Sequence, residues 1–345
     1  MRPRVDAHVA SVILAEADAV AEEVLAGTPS LRARKEGQRH ACAAEFVGHA
    51  NALGVAVDLR QPGVFLAHVR LTVQLHDAAG LPHEAVGACL RALARRVERL
   101  ALPRGTLRWL VESLESGIAA LEEPVPSETV DLWDATSAAL RGNRAAYLAA
   151  VEAWRDGRGP RVALLGIAEV QRQVGEAWMR HQATIVEEHR ATALASLGLA
   201  PLAPDTWGAS GPRSRGQAVL AAAPGEFHTV GMLAAASLLE MEGYAVEVLG
   251  ADTPAVQLAV ACVERRPALV GIAVSVIDHL PAAREAIEMV RHAAPHSCIA
   301  AGGFAARVAG APALGADVLV PEHFDGKLPS HGPAAPHGDQ PDAVR

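Results

Sequence analysis

The 345-residue chain is long enough for two or three domains, and with half of its residues apolar it reads as a globular protein. A formal net charge of −8 without any basic cluster argues against a nucleic-acid surface, and no uncharged apolar run approaches the roughly 20 residues that cross a bilayer. Met1-Arg2-Pro3-Arg4 leads into acidic residues, unlike a signal peptide, and Cys42, Cys89, Cys262 and Cys298 form no CxxC pair, so a cytoplasmic protein with reduced thiols is expected.

Residues 1–124 read as helical throughout. Val5–Leu25, Gln38–Leu53, Val64–Ala78, His83–Leu100 and Thr106–Leu121 carry apolar residues at helical spacing between Gly, Pro or Asp punctuation. The expectation is an all-α domain of globin-like or bundle type. Its histidines, His8, His40, His49, His68, His76 and His83, are ordinary surface or packed residues on the plain reading and a tetrapyrrole lining on the sharper one. Glu123-Pro124-Val125-Pro126 is a stiff linker, after which Ser127-Glu128-Thr129 offers a capped helix start. Val130–Leu140, Asn143–Arg155, Val162–Arg180 and Thr184–Leu197 then make a four-helix unit over 127–200, followed by a second linker at 201–215.

From 216 the period changes. Gln217–Ala223, Ala245–Leu249, Ala268–Val274, Ser297–Ala301 and Asp317–Val320 are short apolar runs that alternate with helical segments Thr229–Glu242, Pro254–Arg265, Pro281–Ala294 and Phe304–Ala311. That alternation predicts an α/β doubly wound, five-stranded parallel sheet over 216–322. The tail 326–345, rich in Pro, His and Gly, is expected to be disordered.

Pro224-Gly225-Glu226-Phe227-His228-Thr229-Val230-Gly231 falls between the first strand and its helix, at the carboxyl edge where open α/β sheets bind ligands. A histidine there can ligate a metal through one ring nitrogen while a carboxylate holds the other. Glu226 is the candidate carboxylate, and Gly231 would let the backbone pass close to something flat.

Glu226-x-His228-x-x-Gly231, Gly243-Tyr244-x-Val246-x-x-Leu249-Gly250, Pro267-x-Leu269-Val270-Gly271, Gly302-Gly303 and Gly315-Ala316-Asp317 together resemble the cobalamin-binding, flavodoxin-like domain of corrinoid proteins, over about 105 residues and in order. The resemblance implies His228 as the lower axial ligand of cobalt, Glu226 holding it, and Gly302 and Gly303 beside the nucleotide tail. Ser275 stands near the serine of that family's third strand, displaced along the chain.

Val174-Gly175-Glu176-Ala177-Trp178, followed by Val186-Glu187-Glu188-His189-x-Ala191-Thr192, resembles the helical cap of light-sensing cobalamin proteins. That likeness implies adenosylcobalamin, with Trp178 and Ile185 against the adenosyl group, Glu188 accepting its hydrogen bonds and His189 orienting. Met179 stands where some of those sensors carry a second histidine. Phe46-Val47-x-His49-Ala50-x-Ala52-Leu53, Val64-Phe65-x-x-His68-Val69 and Ala79-Gly80-Leu81-Pro82 resemble, more loosely, the globin-type domain of photocobilins. This implies biliverdin, with Arg60 and Arg70 toward its propionates and His49 or His68 toward its pyrrole nitrogens.

The reading expected from these features is a photoreceptor rather than an enzyme. It would hold adenosylcobalamin and biliverdin, form a homo-oligomer whose state changes with light, and contact neither nucleic acid nor membrane. A protein partner that the sequence does not name is compatible with it. The alternatives are a corrinoid methyl carrier of a methyltransferase system and a cobalamin-responsive regulator without light chemistry. The chain has no P-loop, nucleophile elbow, GxGxxG, kinase or cyclase signature.

Overall fold

The computed structural model describes residues 5–32, 36–78, 81, 83–123, 133–202 and 215–328. Most of the expected linkers (124–126 and 203–214), the capped start at Ser127–Thr129, the turn Ala79-Gly80 with Pro82, the side chains of His8 and His40, and nearly all of the tail lie outside the described residues. The first helices are Val5–Ala15 (α1), Ala17–Gly27 (α2), Pro29–Arg32 (α3), Glu36–Leu59 (α4), Pro62–Ala78 (α5), Glu84–Val97 (α6) and Arg104–Ala120 (α7). Asp134–Leu140 (α8), Arg144–Arg158 (α9), Pro160–Met179 (α10) and Ile185–Leu199 (α11) follow.

Two boundaries differ from the sequence reading for identifiable reasons. The single helix expected over Val5–Leu25 breaks at Glu16, whose amide bonds back to Ile13 C=O at 3.1 Å. The break lets α2 turn onto α6 while α1 stays on α4, and a one-residue break leaves the apolar period almost intact. The helix expected to end at Leu53 runs on to Leu59. Gly54 is a close contact with α1 and not a stop: a methyl group there would sit 3.2 Å from Ala10 Cβ.

Beyond residue 216 the chain alternates β1 (Gln217–Ala222), α12 (Val230–Met241), β2 (Ala245–Gly250), α13 (Ala255–Arg265), β3 (Leu269–Ala273), α14 (Leu280–Ala293), β4 (Cys298–Gly302), α15 (Phe304–Ala309), α16 (Ala311–Leu314) and β5 (Val318–Leu319), with a 3₁₀ turn at Ile277–His279. The strands form one five-stranded parallel sheet in the order β2-β1-β3-β4-β5, as expected for a doubly wound fold. Ala218 of β1 pairs with Leu269 of β3 on one side and Val246 of β2 on the other. Strand order reverses at β1, so the loops leaving β1 and β3 open onto a shared crevice.

Right-handed crossovers put α12 on one face and α13 and α14 on the other, because the chain first steps outward to β2 and then travels the opposite way to β5. Burial follows this division. Val219, Val270 and Ile299 share a core with α13–α15, whereas Ala218, Leu220, Leu269 and Val318 share one with α12. α10 packs on α12, and its Ile167, Val170 and Val174 belong to the same core as that face. Each such aliphatic side chain contributes about 1.5–3 kcal/mol on full burial. The helices of residues 5–120 continue the other core, with Phe46, Phe65 and Leu90 fully buried in it. They meet the sheet unit where Asn51 Nδ2 donates to Asp278 Oδ1 at 2.9 Å and Arg284 donates to Asp58 C=O at 2.8 Å. Among the described residues no helix is long and apolar enough to cross a membrane.

Candidate functional site

β1 delivers the chain to a turn at Pro224-Gly225, where Gly225 takes a φ of +82° that other residues adopt at a cost. Asp252, in the loop after β2, fastens the turn. Its Oδ1 accepts from Gly225 N at 2.7 Å, and its own amide donates to Glu226 C=O at 2.9 Å. Glu226 is thereby driven inward and is 0% exposed. A buried carboxylate is costly unless its lone pairs are filled. Glu226 Oε1 accepts from His228 N at 2.9 Å and His228 Nδ1 at 2.5 Å, and Oε2 accepts from Ser275 N at 2.6 Å and Val276 N at 3.1 Å. Burial alone would raise its pKa. The His228 ring and the amides of Ser275, His228 and Val276 outweigh that and hold it at about 2.

The charge fixes the histidine. With Nδ1–H donated to Glu226, the lone pair of His228 resides on Nε2. The side chain is 62% exposed, so Nε2 points away from the carboxylate toward open space. The Glu226 bond also raises the ring's pKa against partial burial, with smaller contributions from the charges of Glu226 and of Glu188 on α11. A neutral imidazole with a carboxylate behind it is the usual form of a metal-ligating histidine. Among the described residues no group of three or more His, Cys, Asp or Glu side chains could cage a metal ion. One well-held histidine suits a metal that brings its own equatorial ligands, as cobalt does in a corrin ring.

The three expected glycines separate by what surrounds them. A methyl group at Gly303, where φ is +102°, would lie 2.2 Å from Val274 C=O and 3.0 Å from Ser275 Oγ, so the loop itself demands glycine. At Gly302 it would press on Val320 Cβ at 3.2 Å. At Gly231 it would meet nothing within 4 Å, so the described structure itself does not require glycine there. Ser275 contributes its backbone amide to Glu226.

Residues 216–325 match the B12 binding domain family. A domain of this kind implies a cobalamin or corrinoid cofactor for this part of the chain. A comparison with curated proteins finds no match. Among solved structures, the monomethylamine corrinoid protein of Methanosarcina barkeri is similar at 15% identity over 54% of this chain and 89% of its own, with a TM-score of 0.47. A cobalamin-binding protein from Desulfitobacterium hafniense DCB-2 is similar at 20% identity over 56% and 93%, TM-score 0.32. The methanol:cobalamin methyltransferase complex MtaBC from Methanosarcina barkeri is similar at 18% identity over 60% and 82%, TM-score 0.27.

α10 ends at Met179 and α11 begins at Ile185. Thr184 and Glu187 form a reciprocal capping box, with Thr184 N donating to Glu187 at 2.7 Å and Glu187 N to Thr184 Oγ1 at 3.3 Å. That cap orients the first turn of α11, which carries Ile185, Glu188 and His189. Trp178 is 36% and Ile185 50% exposed, a large apolar surface left uncovered by the protein. Glu188 is mostly buried and accepts from Thr192 Oγ1 at 2.8 Å, while its other oxygen lies 3.4 Å from the exposed His189 Nε2. α11 packs on α12, the helix that follows the loop after β1.

In the N-terminal helices, His49 and His68 come together, with His49 Nδ1 2.9 Å from His68 Nε2. His49 Nε2 lies 3.7 Å from Glu45 Oε1, and His76 Nε2 donates to both Glu45 oxygens at 3.0 and 3.1 Å. Arg60 and Arg70 do not join this group. Arg60 is exposed in a left-handed turn after α4, and Arg70 makes a two-pronged bond to Glu123 at 2.9 and 3.0 Å. Sequence reasoning missed Asp252 and His279. Both belong to loops that follow other strands, and only the parallel register brings them to Glu226.

Proposed function

We propose that this protein is a light sensor, and not an enzyme, that holds adenosylcobalamin between the start of α11 and the loops after β1, β3 and β4. The observation that carries this reading is the fully buried Glu226, which fixes His228 with Nε2 free while Trp178, Ile185 and Glu188 stand on the facing helices. His228 would be the lower ligand of cobalt. Gly231 would lie against the corrin, with Gly302 and Gly303 along the nucleotide tail.

When bound, adenosylcobalamin supplies a cobalt–carbon bond that visible light breaks. The chain's own part is recognition of the group that leaves. Trp178 and Ile185 give it an apolar surface, and Glu188, steadied by Thr192, accepts from its hydroxyl or amino groups. Losing that contact removes one of the restraints between α10–α11 and the sheet. The two-state element is then the packing of α10 on α12, whose shift would change the oligomeric state of a homo-oligomer. Biliverdin is the second chromophore of this reading, beside His49 and His68. There His49 Nε2, which lies 3.7 Å from Glu45 Oε1, would have to turn from that carboxylate to a pyrrole, and Arg70 would have to exchange Glu123 for a propionate.

The test is an absorption spectrum and an elution volume for protein loaded with adenosylcobalamin, before and after green light, with and without biliverdin. The expected result is an irreversible spectral change accompanied by a change in elution. If both stay unchanged, the light reading fails. A methyl carrier would use the same His228 loop but gains nothing from the Trp178 cover, so equal affinity for methyl- and adenosylcobalamin would favour that alternative. Selective adenosyl binding without a light response would favour a cobalamin-responsive regulator.

A further inference from the structure

Glu226 has a second imidazole beside it. His279 closes the 3₁₀ turn after β3, and its Nδ1 lies 3.5 Å from Glu226 Oε2. That nitrogen is buried and has no hydrogen-bond partner, an expensive condition for a polar atom unless it serves the charge it faces. The ring is wedged against the Pro224-Gly225 turn. A methyl group at Gly225 would come within 3.1 Å of His279 Cδ2 and 3.2 Å of Nε2, so glycine there admits the ring as well as the positive φ. The turn is held from outside too, because the neighbouring Asp278 accepts from Asn51 of α4 at 2.9 Å.

We propose that His279 is a positioning residue for the cobalt-ligating histidine, acting through Glu226. The carboxylate is gripped unequally. Oε1 is fixed by His228, whereas Oε2 relies on Ser275 N at 2.6 Å and a weaker Val276 N at 3.1 Å. From 3.5 Å, a small turn of the ring brings His279 Nδ1–H into hydrogen-bond range of Oε2 and adds a side-chain donor on that second edge. It keeps the carboxylate plane turned so that Oε1 stays on His228 Nδ1, and this keeps the Nε2 lone pair available. Ser275 offers an amide to this carboxylate, and His279 is the side chain standing on the same edge. The inference rests on the reading of His228 as the ligand, and it concerns what this chain does even without cobalamin.

The experiment compares wild-type protein with His279→Ala, His279→Phe and His279→Gln. The first readout, in cobalamin-free protein at fixed pH, is the ¹⁵N shift of the His228 ring, which reports the share of the Nδ1–H tautomer. The second is cobalamin affinity, with the visible band that marks histidine on cobalt. His279→Ala and His279→Phe should lower the Nδ1–H share and weaken binding by about tenfold, the lower end for residues behind a metal ligand. His279→Gln, which can still donate, should restore most of both. Phe fills the space without a donor, so a folding defect in the Ala variant leaves the question decidable. An unchanged or higher Nδ1–H share in the Phe variant overturns the proposal. If His228→Ala binds cobalamin as well as wild type, the assignment of His228 fails, and the tautomer measurement still decides the role of His279.

Discussion

Glu226 and Glu45 are both carboxylates beside histidines, and both are held at about 2, yet they reach that state by different means. Glu226 is filled largely by the backbone, with three amide bonds and one ring bond. Glu45 sits between α4 and α5, and burial opposes its charge until His49 and His76 bring it down through their rings. Backbone amides cannot be protonated or rotated away, so the Glu226 charge is fixed and one imidazole can be left facing outward. Glu45 depends on groups that themselves titrate. A lone pair facing a carboxylate is unfavourable, so the arrangement around Glu45 has His68 Nε2–H donating to His49 Nδ1, and His49 Nε2–H turned toward Glu45. The first arrangement leaves one imidazole nitrogen facing outward, whereas the second locks two helices together.

Truncation should expose this difference most strongly. Glu226→Ala leaves the amides of His228, Ser275 and Val276 without their acceptor in a closed loop, and should cost about 3–5 kcal/mol of unfolding free energy. Glu45→Ala strands no amide, and its side chain is 29% exposed, so water replaces part of what is lost and about 1–2 kcal/mol is expected. Urea unfolding of both variants measures the gap. Equal losses would break the comparison.

Acid should sharpen it. Burial, then the charge of His49, pushes the His68 pKa from 6.5 down to about 3. The unfolded chain therefore binds a proton that the folded one refuses, and His68 stabilises the fold fully above pH 6.5 and progressively less as pH falls toward 3. One such group gives a slope of up to about 1.4 kcal/mol per pH unit. Glu45 adds to the loss between 4.5 and about 2. His228 has the opposite sign: its pKa is raised, so its contribution is present below its unfolded value and fades as pH rises. Hydrogen exchange at pH 7 and pH 5 should show α4 and α5 loosening while the loop after β1 stays protected, and His68→Gln should flatten the response of the helices. Equal loosening at both places would be evidence against the division.

On the ligand side, Trp178→Ala removes about half of the exposed apolar cover formed with Ile185 and should weaken adenosylcobalamin by about tenfold, or 1.4 kcal/mol, with little change for the methyl form. Titration of both forms measures it, and an equal loss for the two would detach Trp178 from the adenosyl group.

How much of this was readable in the sequence depends on how local each feature is. The sheet was legible because parallel strands buried on both faces leave continuous apolar runs, and Gln217–Ala222 is buried at every position after the first. Glu226 and His228 were legible as a pair two residues apart in one loop. His279, Asp252 and the amide of Val276 were not, since the loops after two other strands, β2 and β3, supply them. In the N-terminal helices, Glu45 and His49 share a face at i, i+4, but His68 and His76 arrive from α5, and the helical period carries no record of which side chains meet across a helix pair. Gly54 reads as a stop in any local scheme, although the close approach of Ala10 explains it.

Gly231 gives the smallest effect and the cleanest separation of fold from ligand. It lies in the first turn of α12, and a methyl group there touches nothing within 4 Å. Gly231→Ala should therefore leave stability unchanged or raise it by up to about 1 kcal/mol, the ordinary gain from replacing a helical glycine. Gly303→Ala, meeting Val274 C=O at 2.2 Å with a φ of +102°, should instead destabilise the protein whether or not cobalamin is present. If a corrin ring passes over α12, Gly231→Ala keeps or gains thermal stability in the cobalamin-free protein while cobalamin affinity falls. A variant that gains stability and binds cobalamin as tightly as wild type would mean that the ring lies elsewhere, and the open space at Gly231 would have no part in the site.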